Sequence, residues 1–209
     1  MKTTVLLIRH GETEWNTLGK FQGCTDIALS EEGIKQAQLL KDRLNGEFDY
    51  IYSSPLSRAF ETANIVASNT EKRVSIAQEI REINFGEWEG LTVHEIAENY
   101  PEKFKAWRTD KIESKICGGD LSILNAANRA KNCVLDIISE HRGKKIAIVA
   151  HGGIIKAALI GLFEWDMTMY HKIALGNTCI NTLTFDKELI PALVTLNDTN
   201  HLNYVAKTV

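Results

Sequence analysis

Thr4-Val5-Leu6-Leu7-Ile8-Arg9-His10-Gly11-Glu12-Thr13-Glu14-Trp15-Asn16 is the segment on which the reading of the fold turns. Val5 to Ile8 is an unbroken apolar run, the pattern of a parallel strand buried on both faces, and it ends abruptly at Arg-His-Gly. Ligands of open α/β sheets bind just beyond the carboxyl ends of strands, which places Arg9 and His10 at the rim of a crevice. Gly11 then lets the backbone turn or lie close to a ligand. A second copy of this pattern lies near the other end: Lys145 to Ala150 is again a buried-strand run, and it ends in His151-Gly152-Gly153. Two strand ends can bring two imidazoles to one ligand.

Between these anchors the chain alternates strand and helix signals. Ser30 followed by Glu31-Glu32 starts a helix whose Ile34, Ala37, Leu40 and Leu44 share one face, ending at Gly46. Phe48–Tyr52 reads as a strand, followed by Ser54 as a helix cap with Pro55 at the first helical position. Val74–Ile76 reads as a short strand, and 92–107 as a helix interrupted at Pro101, with Trp107 a packing or lid residue. Ser122 opens a helix of sustained period through Ile138 and His141, and the strand at 145–150 leads into an apolar helix to about Phe163. Cys179–Phe185 and Ala192–Leu196 read as the last strands, joined by a turn at 186–188. Such alternation predicts an α/β three-layer sandwich, a mostly parallel central sheet with helices on both faces, over a single domain spanning 1–209.

Composition narrows the functional classes. A chain of 209 residues with 44% hydrophobic and 24% charged content and a net charge of −3 has the profile of a soluble globular domain. It has no basic tract that would argue for nucleic acid, no apolar span of membrane length and no signal-peptide pattern, so a cytoplasmic setting is the expectation. The four cysteines, Cys24, Cys117, Cys133 and Cys179, are far apart and read as reduced thiols with no metal site.

The second strand-to-helix junction carries Arg58 in the first turn, where a cation faces the positive end of the helix dipole; that costs about 0.3–1 kcal/mol unless an anion is present. Free N–H groups beside a guanidinium make a phosphate site, with a pair to Glu61 as the competing reading. The segment Arg81–Gly90 carries three carboxylates, Glu82, Glu87 and Glu89, any one of which could serve as a proton donor if placed in a partly dry setting. Two arginines and two histidines form a compact positive pocket in a protein of negative net charge, which points to a dianionic ligand, most simply a phosphoryl group.

Taken in order, Arg9-His10-Gly11-Glu12-Thr13, Trp15-Asn16, Gln22-Gly23, Ser53-Ser54-Pro55-Leu56-Ser57-Arg58-Ala59, Glu82 with Gly86-Glu87-Trp88-Glu89-Gly90, and Ala150-His151-Gly152-Gly153 resemble the histidine phosphatase superfamily, also called phosphoglycerate mutase-like. The resemblance covers nearly the whole chain. It implies that His10 is a nucleophile that becomes phosphorylated, that Arg9, Arg58 and His151 bind the phosphoryl oxygens, and that Glu82 is the proton donor; the chemistry of phosphoryl transfer calls for His151 to be charged. Asn16, Gln22, Gly23 and Gly152 would bind phosphate or substrate. No cofactor or metal is implied, and the expected partner is a small phosphorylated metabolite, with a homodimer as one option for assembly. The chemistry implied is metal-independent phosphomonoester hydrolysis; a cofactor-dependent phosphoglycerate mutase and a non-catalytic phospholigand-binding protein are the alternatives. Where relatives often have Gly-Glu-Ser before the long helix, this chain has Gly119-Asp120-Leu121-Ser122.

Overall fold

In the computed structural model, which describes residues 2–202, the chain forms β1 (Thr3–Arg9), α1 (Glu14–Thr17), α2 (Glu31–Leu44), β2 (Tyr50–Ser53), α3 (Ser57–Ala67), β3 (Val74–Ile76), α4 (Val93–Asn99), α5 (Pro101–Thr109), α6 (Ile123–Glu140), β4 (Lys145–Ala150), α7 (Gly152–Phe163), β5 (Ile180–Phe185) and β6 (Pro191–Asp198). The strands order as β3-β2-β4-β1-β5-β6 in one sheet. β1, β2, β3 and β4 are mutually parallel, and β5 runs antiparallel to both β1 and β6.

Both faces are covered, as the continuous apolar runs require. Leu6, Ile8, Ala147 and Val149 point to the layer of α2 and α3, where they meet Leu40, Leu44, Ala59, Ala63 and Val66. Val5, Leu7, Ile146 and Ile148 point the other way, against α6 and α7. This period-two division of one strand between two cores produces the predicted three-layer sandwich. Among the described residues no helix is long and apolar enough to cross a membrane, and all four cysteines are free thiols.

Two of the boundaries that shift do so for a clear local reason. The helix expected from Ser54 and Pro55 begins at Ser57, because the Ser54 hydroxyl is engaged elsewhere: it bonds His151 Nε2 at 2.7 Å and accepts from the Leu56 N–H at 3.3 Å. A side chain from a distant loop caps the helix instead, Asp26 Oδ1 accepting from the Ser57 N–H at 2.9 Å and its hydroxyl at 2.8 Å. β2 starts at Tyr50, two residues late, since Phe48 is drawn into the α2–α3 core and the Asp49 carboxylate accepts from the Lys145 N–H at 2.8 Å.

The turn after β1 is seated directly on α2. The Ser30 N–H donates to the Glu12 carbonyl at 2.9 Å, the Glu12 N–H to Gln36 Oε1 at 2.9 Å, and the Ser30 hydroxyl caps the helix by accepting from the Gly33 N–H. Backbone lies on backbone here: a Cβ on Gly33 would overlap the Glu12 carbonyl, and one on Gly11 would overlap the carbonyl of Gly33. Gly33→Ala therefore opposes two effects, a helix-propensity gain of about 1 kcal/mol against an overpacking cost of about 1–3 kcal/mol or more where no side chain can yield. The overlap wins, so the variant should show a lower urea midpoint with unchanged m and reduced turnover, since His10 rides on the displaced turn. A Gly33→Ala protein more stable than its parent would contradict this packing.

Candidate active site

The pairing of β1 with β4 places Arg9 opposite Ala150, so the residues that follow, His10 and His151, leave the sheet side by side. The His10 N–H donates to the Ala150 carbonyl at 3.0 Å, and the two imidazole centroids lie 5.1 Å apart. β2 joins from the other side of β4, with the Ser54 N–H on the Val149 carbonyl at 3.0 Å, and α3 then presents Arg58. Three adjacent strand ends thus deliver Arg9, His10, Ser54, Arg58 and His151 to one place.

The His10 ring is buried, and its Nδ1 lies 2.6 Å from the Gly11 carbonyl. A carbonyl can only accept, so the proton is on Nδ1 and the lone pair on Nε2. Burial first, then the charges of Arg9 and Arg58, hold its pKa well below the usual histidine range. His151 has the opposite tautomer: Arg58 Nε donates to its Nδ1 at 3.1 Å, leaving Nε2–H for the Ser54 hydroxyl. Burial and the adjacent Arg58 depress its pKa strongly as well. The sequence reading gives a charged His151; with a guanidinium donating to it and the ring fully buried, it is neutral here.

Arg58 is fully buried and its remaining bonds tie down a loop: Nη1 donates to the Thr25 carbonyl at 2.9 Å and Nη2 to the Gly23 carbonyl at 2.8 Å. It does not pair with Glu61; its carboxylate neighbour is Asp26, at 3.9 Å. Arg9 donates through Nη1 to the Leu175 carbonyl at 2.5 Å, while its Nε is buried without a partner among the described residues. Asn16 Oδ1 accepts from the Thr13 N–H, the Thr13 hydroxyl and Asn177 Nδ2, each at 3.1 Å, which leaves Nδ2 as its donor end.

The three acids of the 81–90 segment have separate tasks. Glu82 is buried at the N-terminus of α7, with Oε1 accepting from the Ile83 and Ile154 N–H groups at 2.9 and 2.8 Å and Oε2 from Gly153 at 3.0 Å. Glu89 stitches two loops together, accepting from the N–H groups of Cys24, Thr25 and Phe85 and from the Thr25 hydroxyl. Gly23 is obligatory there, having φ +54° and Glu89 packed where a Cβ would be. Glu87 is exposed, 3.7 Å from Lys103. The altered Asp120 supports the acid-bearing segment, its Oδ2 accepting from the Asn84 N–H at 2.8 Å and from Arg81 and Arg129 at 3.2 Å.

These groups enclose a cavity of about 190 Å³. Of the residues singled out in the sequence, Arg9, His10, Asn16, Gln22, Gly23, Arg58, Glu82 and Gly152 line it; His151 stands behind, reaching it through Arg58 and Ser54. Among the described residues, Glu82 is the one carboxylate on its wall. The buried Gln22 Oε1 has no partner among the described residues. Sequence reasoning missed Lys156 and Tyr170. Lys156 had a readable signal, a single charge one turn after Gly152 in an otherwise apolar helix; Tyr170, in a 3-10 turn at Met167–His171, had none.

Residues 5–199 match the family described as the histidine phosphatase superfamily, branch 1. The chain belongs to the histidine phosphatase superfamily. Phosphoserine phosphatase 1 of Hydrogenobacter thermophilus is 34% identical to this phosphatase over 199 residues, covering 95% of this chain and 93% of the relative. A metal-independent phosphoserine phosphatase of Arabidopsis thaliana is 35% identical over 165 residues, 78% of this chain and 69% of that one. Phosphoserine phosphatase of Entamoeba histolytica superimposes with a TM-score of 0.90 at 42% identity, covering 96% of this chain and 99% of that one. It has been solved as a histidine-to-alanine mutant with phosphoserine and also with 3-phosphoglyceric acid.

The opposed tautomers give a direct test. At about pH 6.5, where a free imidazole is half protonated, nitrogen NMR of labelled histidine should show His10 neutral with the proton on Nδ1 and His151 neutral with it on Nε2. Because both pKa values are depressed, the charged forms should appear only at distinctly lower pH. A protonated His10 at that pH would contradict the geometry.

Proposed function

We propose that this phosphatase hydrolyses O-phosphoserine or a closely similar phosphorylated small acid, without a metal, through a phosphohistidine on His10. The observation that carries the reading is the cavity itself: a neutral imidazole with its lone pair on Nε2 shares a small space with the Arg9 Nε–H, which has no partner among the described residues, and with the Arg58 guanidinium and the Asn16 amide. Arg9, with its free Nε–H, the remaining N–H groups of Arg58 and the Asn16 amide surround the equatorial phosphoryl oxygens, where charge must be stabilised in transfer. His10 Nε2 attacks phosphorus, and the P–O bond to the serine oxygen breaks as Glu82 hands that oxygen a proton. Water then attacks the phosphohistidine, Glu82 takes its proton, phosphate leaves and His10 is restored. His151 acts through Arg58, fixing the guanidinium by accepting from its Nε–H, and Glu82 is aimed by the three backbone N–H groups that hold it.

Two features favour this substrate class. The unpartnered Gln22 carbonyl offers an acceptor to a donor on the carbon next to the ester methylene, an ammonium in phosphoserine or a hydroxyl in phosphoglycerate. The relatives named for phosphoserine match at high coverage, one of them metal-independent. A mutase would need room and cations for a second phosphoryl group, whereas the cavity is about 190 Å³ and Lys103, Lys105, Arg108, Lys111 and Lys115 are all exposed to solvent.

Phosphate release across a panel of monoesters, with chelator present, should rank O-phosphoserine above sugar phosphates; a preference for sugar phosphates sinks the substrate assignment. Glu82→Gln should lower turnover of O-phosphoserine by about 10²–10⁴-fold. With p-nitrophenyl phosphate, whose leaving group hardly needs a proton, the loss should be far smaller, and equal losses would make Glu82 structural.

A further inference from the structure

Lys156 is the single charged residue in α7, a helix whose other side chains are apolar. One turn beyond Gly152 and Gly153, it lies on their face of the helix and lines the cavity next to Tyr170 and Leu175. Its ammonium sits 5.2 Å from the centroid of the Tyr170 ring and pairs with no carboxylate among the described residues. A cation taken from water into such a place is costly unless an anion meets it. Burial, then the charge of Arg9, brings its pKa down to about 8, so at neutral pH the site still holds a proton that a bound anion would secure.

The chemistry of the site says which anion. Glu82, held at the Gly153 and Ile154 N–H groups, marks where the ester oxygen must receive its proton. Lys156 follows one turn further along the same helix, its ammonium beside Tyr170, a position from which it can meet the part of the substrate beyond that oxygen. The two molecules crystallised with the Entamoeba histolytica phosphatase, phosphoserine and 3-phosphoglyceric acid, share a carboxylate at that distance from the ester. Lys20, the other lysine on the wall, holds its ammonium over Trp15 at 5.8 Å.

We propose that Lys156 is the specificity residue of this phosphatase: its ammonium, covered by the Tyr170 ring, pairs with the carboxylate of the substrate and selects phosphorylated carboxylic acids over phosphomonoesters that lack one. The proposal rests on the function proposed above and assigns its substrate recognition to one side chain.

The test compares O-phosphoserine with O-phosphoethanolamine, which lacks only the carboxylate. Wild-type protein should prefer phosphoserine. Lys156→Met should raise the KM for phosphoserine roughly ten- to a hundred-fold, the range for losing a charged hydrogen bond, with kcat less affected. The loss on phosphoethanolamine should be at least ten times smaller, and Lys156→Arg should recover most of the preference. In the wild type, the KM for phosphoserine should climb above about pH 8 as the ammonium deprotonates, while that for phosphoethanolamine does not follow. Equal losses on the two substrates, a wild type with no preference, or a selective loss from Lys20→Met and not from Lys156→Met would each overturn the proposal. If the wild type cleaves other monoesters but neither of this pair, the substrate assignment above fails; Lys156 is then judged by the same criterion on 3-phosphoglycerate against glycerol phosphate.

Discussion

The parallel hydrogen bonding of β1 to β4 is the constraint on which the site depends. Its register sets Arg9 opposite Ala150, and from that one alignment His10 and His151 must emerge together. A shift by one residue would turn every side chain of β1 to the opposite core, moving Val5 and Leu7 into the layer of α2 and α3, so burial on both faces locks the register. The energy of two hydrophobic cores thereby fixes the positions of polar groups that could not hold one another in place.

Those polar groups are electrostatically unfavourable by themselves. Arg9, Arg58 and Lys156 are gathered with two imidazoles around one carboxylate, and burial lowers the pKa of every one of these bases. The protein relieves part of this with neutral acceptors: the carbonyls of Gly23, Thr25 and Leu175 and the Nδ1 of His151 take guanidinium protons without removing charge. What remains is a field that a dianion completes. Glu89, Asp26 and Asp120 stand one step back, joining the loops of 19–26 and 81–90 to the scaffold, so that acids stabilise the frame without neutralising the cavity.

Much of this was legible in the sequence because it follows from local pattern. Doubly buried strands, the apolar stripe of α6 and strand ends marked by His-Gly all have periodic or compositional signatures; the choice of Glu82 over Glu87 and Glu89 comes only from the family resemblance. What escaped was contact between distant segments. The capping of α3 by Asp26, 31 positions from Ser57, displaces the boundary that Ser54 and Pro55 predict. The neutrality of His151 depends on which ring nitrogen Arg58 meets, and no spacing encodes that. Asp120, a departure from the family pattern, turned out to brace Arg81 and Asn84 on either side of Glu82 and its neighbour Ile83. Tyr170 arrives from a 3-10 turn with no motif at all.

The central claim is that His10, held with its lone pair on Nε2, is the group to which the phosphoryl group moves. Rapid acid-free quenching of the protein with phosphorus-labelled O-phosphoserine, followed by peptide mapping, tests it most directly. The account predicts one labelled site, on His10, stable to base and lost in acid, formed and consumed at rates that sustain steady-state turnover and absent from His10→Ala. Label on another residue, or full turnover by His10→Ala, would contradict it.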